Sequence, residues 1–111
     1  NPSRIFCVAL GFLCCHQQQS GNRSGHRIRI KIDAIDRFSR HFARLVDSVK
    51  AGQVIFAGRT TEPLDTTFGL VVFEAENEAA ARQFMESDPA VVAGVMSATL
   101  HPYVLALQRK L

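Results

Sequence analysis

Cysteine is scarce in this chain of 111 residues and poorly placed for cross-linking: Cys7, Cys14 and Cys15 all fall in the first fifteen residues, with no later cysteine to bridge to. A disulfide framework is excluded as the source of stability, and a reduced, cytoplasmic setting is expected. A glycine-rich fingerprint after a strand and a phosphate loop are both missing, so no cofactor is expected. No Gly-x-Ser-x-Gly presents a serine nucleophile. His16, His26, His41 and His101 stand at no ligand spacing with cysteines or carboxylates, and no metal is expected either. No apolar run is long enough to cross a bilayer as a helix. Ile5 to Cys15, just after Arg4, does have signal-segment length, and Leu13-Cys14 faintly matches a lipoprotein processing site. Phe6, Cys7 and Val8 nevertheless suit a buried strand, and that reading is preferred because the rest of the fold needs a first strand.

Hydrophobic residues at 47% against charged residues at 21% describe an ordinary globular chain rather than a disordered one. At this length it forms a single domain, residues 1–111, that buries about two-thirds of its unfolded surface without staples. The net charge of +3 is mild, but Arg23, Arg27, Arg29, Lys31, Arg37, Arg40 and Arg44 crowd one region. Such a surface can meet phosphates. No stacking aromatics are interleaved with the charges, so a solvated face is preferred and nucleic acid is not expected as a partner.

Arg4 to Leu13 predicts a strand apolar on both sides, with Ile5, Cys7 and Ala9 on one and Phe6, Val8 and Leu10 on the other, which places it centrally in a sheet. Residues 16–25 are polar with two glycines and predict a loop. Arg27 to Ile32 alternates charged and apolar residues, the pattern of an exposed or edge strand; either it is an inserted strand or the tract runs straight into the first helix. That helix is predicted over Asp36 to Ala51, with Phe38, Phe42, Leu45 and Val49 as its packing stripe and Gly52 as its stop. Gln53 to Ala57 predicts a strand, Gly58 to Thr67 a polar connection, and Phe68 to Ala75 a second central strand apolar on both faces. Asn77 caps a helix that packs through Ala80, Ala81, Phe84 and Met85. Ser97 to Tyr103 closes the sheet, and residues 104–111 form a tail that is either helical or pairs with a partner.

The order strand, helix, strand, strand, helix, strand is the ferredoxin-like βαββαβ unit, an α+β fold with an antiparallel sheet and two helices on one face. Two helices cover only one face, while both central strands are apolar on the other as well. A second copy packed sheet against sheet is the natural cover, so a homodimer is expected.

Several stretches carry a resemblance: Arg40-His-Phe-Ala-Arg-Leu45, Gly52-Gln-Val-Ile-Phe-Ala-Gly58, Phe68-Gly-Leu-Val-Val-Phe-Glu-Ala75, Ser87-Asp-Pro-Ala-Val-Val-Ala-Gly94 and His101-Pro-Tyr103. Over roughly residues 36–107 the chain resembles the YCII-related (YciI-like) family, which implies the dimeric α+β barrel. The family pattern does not require the alternating tract, so residues 1–33 are an atypical N-terminal part.

Four site residues follow. His41, taken alone, sits at the margin of the predicted helix stripe and reads as a satisfied structural histidine. Asp88, taken alone, is an N-cap with proline at the first helical position. The resemblance changes both readings, since each stands where the family carries a member of its proposed His-Asp pair. A carboxylate bonded to one imidazole nitrogen fixes the tautomer and leaves the other nitrogen to take a substrate proton. Arg59 stands where the family often has proline after Ala-Gly, and either holds an acidic substrate or is simply solvated. Tyr103 stands where the family commonly has an aromatic, as a substrate contact or as a core or interface ring. The resemblance implies lyase or isomerase chemistry on a small organic molecule, including dehydrochlorination in some relatives. The alternative is a non-catalytic ligand-binding or regulatory module.

Overall fold

The computed structural model describes residues 3–12, 24–63 and 66–109, with the side chains of 3–11, 36–63 and 66–109. The elements in chain order are β1 (Arg4–Phe12), α1 (Ser24–Lys50), β2 (Val54–Arg59), β3 (Phe68–Ala75), α2 (Glu78–Glu86), a one-turn α3 (Pro89–Val92) and β4 (Met96–Pro102). The sheet is antiparallel in the order β2-β3-β1-β4, which makes it the ferredoxin-like α+β unit. Beyond β4, the described tail residues 103–109 carry no helix or strand. No helix among the described residues is long and apolar enough to cross a membrane.

The two apolar central strands sit in the middle as their composition requires. β1 pairs with β3 on one side, Phe6 opposite Phe73, and with β4 on the other, Val8 opposite Leu100. Phe6, Val8, Leu10, Val71 and Phe73 turn toward the helices and make the core together with Ala81, Met85 and Ala90. Phe73 is fully buried, with its ring 6.2 Å from Phe6 and 4.7 Å from Phe84. Cys7 and Val72 face the other way, opposite each other in register, and Phe56 pairs with Val72 on that same side. Burial there is uneven: Val72 is fully covered by its neighbours, whereas Phe56 and Phe68 stay 39% and 50% exposed. Cys7 is a free thiol, and its burial pushes its pKa up. Cys14 and Cys15 lie outside the described residues.

Local signals set most of the boundaries. The Asn77 side chain accepts from the Ala80 N–H at 2.8 Å and starts α2. Gly52, at φ +88°, ends α1: its N–H bonds the Val49 carbonyl, and that of Gln53 reaches back to Ser48.

Two expectations about α1 are corrected. The alternating tract Arg27–Ile32 is no edge strand; it runs straight into the first helix, the second of the two alternatives, and that helix begins at Ser24, twelve residues before the expected start at Asp36. Between His26 and Ala51 there is no glycine or proline, so a helix nucleated downstream extends backward at no further nucleation cost. Of the loop expected over 16–25, Ser24 and Gly25 are helical and the rest lies outside the described residues. The packing stripe is also rolled. Phe38 and Leu45 pack on the core, but Phe42 and Val49 are 67% and 47% exposed. His41, Arg44 and Ser48 turn inward in their place, a rotation of about 60° at about 100° per residue.

Phe73→Ala should cost about 3–5 kcal/mol, because the cavity lies between two aromatic neighbours at the centre of the sheet and neither strand can close it. Urea denaturation checks this, and a loss under about 1 kcal/mol would mean the core is assembled elsewhere.

Candidate active site

His41 and Asp88 stand 47 residues apart in sequence and meet between α1 and the joint that links α2 to α3. His41 Nδ1 lies 2.5 Å from Asp88 Oδ2. Their side chains are 13% and 7% exposed, so the contact is shielded from bulk water. The carboxylate's other oxygen is occupied as well: Oδ1 accepts from the Ala90 N–H at 2.9 Å, the N-cap bond that starts α3, with Pro89 as its first residue. Capping and pairing with histidine are therefore not competing accounts of Asp88, because each uses a different oxygen.

Burial by itself would raise the Asp88 pKa. The His41 hydrogen bond, the charge that ring carries when protonated, the Ala90 N–H and the nearby Arg44 guanidinium outweigh it and hold the carboxyl below its ordinary value. An ionised carboxylate only accepts, so the proton in the contact belongs to His41 Nδ1. Nε2 makes no hydrogen bond to a described residue and is the nitrogen available to a ligand.

A cavity of ≈ 20 Å³ opens beside the pair, walled by Val8 and Leu10 of β1, Val71 of β3, Leu45 of α1, and Phe84 and Met85 of α2. That volume holds about one water. A larger trough of ≈ 500 Å³ runs over the outer turns of α1 past Arg40, Asp47 and Gln53. It lies open to solvent, and Arg44 borders both spaces. His41 and Asp88 lie buried together at the smaller cavity.

Arg59 and Tyr103 are placed elsewhere. Arg59 is the last residue of β2, exposed, its guanidinium donating to the Thr60 carbonyl at 3.2 Å. Tyr103 follows β4, and its backbone N–H bonds the Ile5 carbonyl. Neither lines the cavity with His41 and Asp88. Arg44 does join the pair, with Nη1 3.6 Å from Asp88 Oδ2, and Ser87 bonds Arg44 in turn; in the sequence the two stand only as part of a basic tract and of the Ser-Asp-Pro run. The signal that could have found Arg44 is its spacing, three residues after His41 on one helix face. Among the described residues no cluster of three or more histidines, cysteines or carboxylates could hold a metal ion.

The family model of the YCII-related domain matches residues 31–100. The chain belongs to that family. Among solved structures it is similar to 5-chloro-2-hydroxyhydroquinone dehydrochlorinase (TftG) from Burkholderia phenoliruptrix AC1100, solved in complex with 2,5-dihydroxybenzoquinone. The TM-score is 0.58 at 21% identity, covering 90% of this chain and 93% of that one, a likeness of fold. No curated protein matches the sequence. In the YCII-related frame, the Asp-Pro motif and the first long helix are the two parts that bring Asp88 to His41.

The depressed Asp88 pKa has a consequence for stability. A carboxyl whose folded pKa is lowered contributes stability above its unfolded value, 3.8, and that contribution is lost as pH falls through the folded value. Asp88→Asn should therefore destabilise the protein near neutral pH and flatten the acid limb of its stability profile below 3.8. Thermal unfolding followed from pH 7 down to about pH 2.5 measures this; a variant curve parallel to wild type throughout would show that the carboxylate charge is not stabilising.

Proposed function

We propose that this protein binds a small organic molecule at His41 and Asp88 and removes a proton from it, in lyase or isomerase chemistry. The observation that carries the reading is the 2.5 Å contact between His41 Nδ1 and a buried, ionised Asp88. With Nδ1–H held by the carboxylate, Nε2 accepts a proton from an acidic C–H or O–H of the ligand, and Asp88 stabilises the imidazolium that results. The electron pair left on the ligand then expels a leaving group from a neighbouring carbon, or the proton returns at another position. The first outcome is elimination, the second isomerisation. TftG, named for a dehydrochlorination, gives the reading its choice of first probes.

A second reading is favoured by the cavity. At ≈ 20 Å³ it admits water but no aromatic ring, so a ligand must displace its walls or stop at the mouth, and a binding module without turnover fits that shape equally well. We propose further that the protein acts as a homodimer, in which a second copy covers the sheet face that bears Phe56 and Phe68. Two aromatic rings left 39% and 50% exposed beside a fully buried Val72 form an apolar patch continuous with an interior.

The site is tested with 2,5-dihydroxybenzoquinone and chlorinated hydroquinones as probes. Isothermal titration on the wild-type protein should detect binding, and chloride release should accompany turnover of a chlorinated probe. His41→Ala should lower turnover by at least about a hundredfold, and its unfolding midpoint should also fall because Asp88 Oδ2 loses its partner. Binding without chloride release, equal in wild type and His41→Ala, would favour the binding module. For assembly, sedimentation at micromolar concentration should give twice the chain mass, and Phe68→Asp should return it to one. A wild-type protein that sediments as a folded monomer would defeat the dimer.

A further inference from the structure

Arg44 lies three residues after His41 on α1, and both side chains reach the joint of Ser87 and Asp88. Its Nη2 donates to the Phe84 carbonyl at 2.9 Å and to Ser87 Oγ at 2.7 Å. Nη1 stands 3.6 Å from Asp88 Oδ2, the oxygen that His41 also uses. Cζ sits 4.3 Å from the centre of the Phe84 ring. All of these partners belong to the last turn of α2 or to the joint itself. The Phe84 carbonyl is near a helix end, where carbonyls run out of intrahelical donors, and a cation placed there also meets the negative end of the helix dipole. The side chain is 25% exposed, and its guanidinium is committed to protein partners and is not held ready for an acidic ligand.

Asp88 cannot fix its own position relative to His41. Its Oδ1 belongs to the Ala90 N–H, so the carboxylate travels with α3. Among the described α1 side chains, His41 and Arg44 reach the joint by polar contact. A single short contact between a rotatable imidazole and a rotatable carboxylate does not define an orientation, whereas a planar fork with two acceptors and a stacked ring does. We infer that Arg44 is a positioning residue: it ties the end of α2 to α1, so that the Asp88 carboxylate meets His41 Nδ1 at one place and holds the ring in a single tautomer with Nε2 toward the cavity. The inference rests on His41 and Asp88 being the working pair, and it assigns Arg44 no contact with the ligand.

The test uses the full chain and needs no substrate. Two-bond nitrogen–proton correlation spectra of the His41 ring should show the Nδ1–H tautomer alone in the wild type. Arg44→Met, which keeps an apolar stem on Phe84 and removes the fork, should give the averaged shifts of mixed tautomers. Arg44→Lys keeps the charge but not the fork and should also depart from the wild-type pattern. Should Arg44→Met fail to fold, Arg44→Lys decides alone. A variant with a lowered unfolding midpoint but an unaltered His41 tautomer would overturn the inference, because Arg44 would then be a staple between helices and nothing more. Ligand affinity is the second readout: if 2,5-dihydroxybenzoquinone binds the wild type, Arg44→Lys should weaken it by about tenfold or more, and unchanged affinity would again count against positioning. Absence of binding to the wild type would count against the functional reading, while the tautomer pattern still decides the role of Arg44.

Discussion

The carboxylate of Asp88 is the point on which the helix side of this molecule depends. A buried ionised group is costly unless each of its oxygens is bonded, and here each is: Oδ1 by the backbone that begins α3, Oδ2 by His41, with Arg44 close behind. Those bonds do two jobs at once. They set where α3 starts, and they hold α1 against the end of α2. The same arrangement leaves His41 with one nitrogen committed and one available, so folding and the proton abstraction proposed above would draw on the same few contacts. A substitution at Asp88 would then act on both, and a fall in activity there is informative only beside a measurement of stability.

The sheet divides the protein into two sides with different roles. On the helix side, Val8, Leu10 and Val71 form the floor on which His41 and Asp88 stand. On the opposite side the same strands carry Cys7 and Val72, buried, among partly exposed aromatic rings. Because side chains alternate along a strand, what covers one face does not touch the other. The homodimer proposed above would close the far face and leave the His41 cavity to the protomer's own helices. A ligand would then enter between α1 and α2, where Phe84, Met85 and Leu45 would have to yield, since interiors packed at this density leave little room unless they move.

Much of the architecture was legible because it rests on short-range chemistry. Strands apolar on both faces had to be central; Asn77 and Asp88 had to be caps; Gly52 had to end a helix at a position of positive φ. Over residues 27–32 two local signals conflict, and the sequence leaves strand and helix both open. Isoleucine alternating with arginine and lysine over 27–32 satisfies a strand pattern, yet the tract adjoins a strong helix with no breaker between them, and continuing a helix costs less than starting a strand that has no neighbour to pair with. The expected roll of α1 was wrong. Phe38, Phe42, Leu45 and Val49 fit helical period as well as Phe38, His41 and Leu45 do, and periodicity alone does not say which of two overlapping stripes turns inward.

The amino-acid sequence determined by itself the order of the elements, their caps and stops, which strands lie in the middle of the sheet, and the family, because each of these follows from residues near one another or from a motif read in order. It also supplied His41 and Asp88, though only through resemblance. Tertiary structure alone decided that they touch, that the Asp88 oxygen not used in its cap meets the histidine, and that Arg44 joins them whereas Arg59 and Tyr103 stand apart from the cavity. The physical reason is that these contacts span more than forty residues and depend on how α1 is rolled about its axis. That angle is set by what the helix packs against, and the helix itself does not contain it.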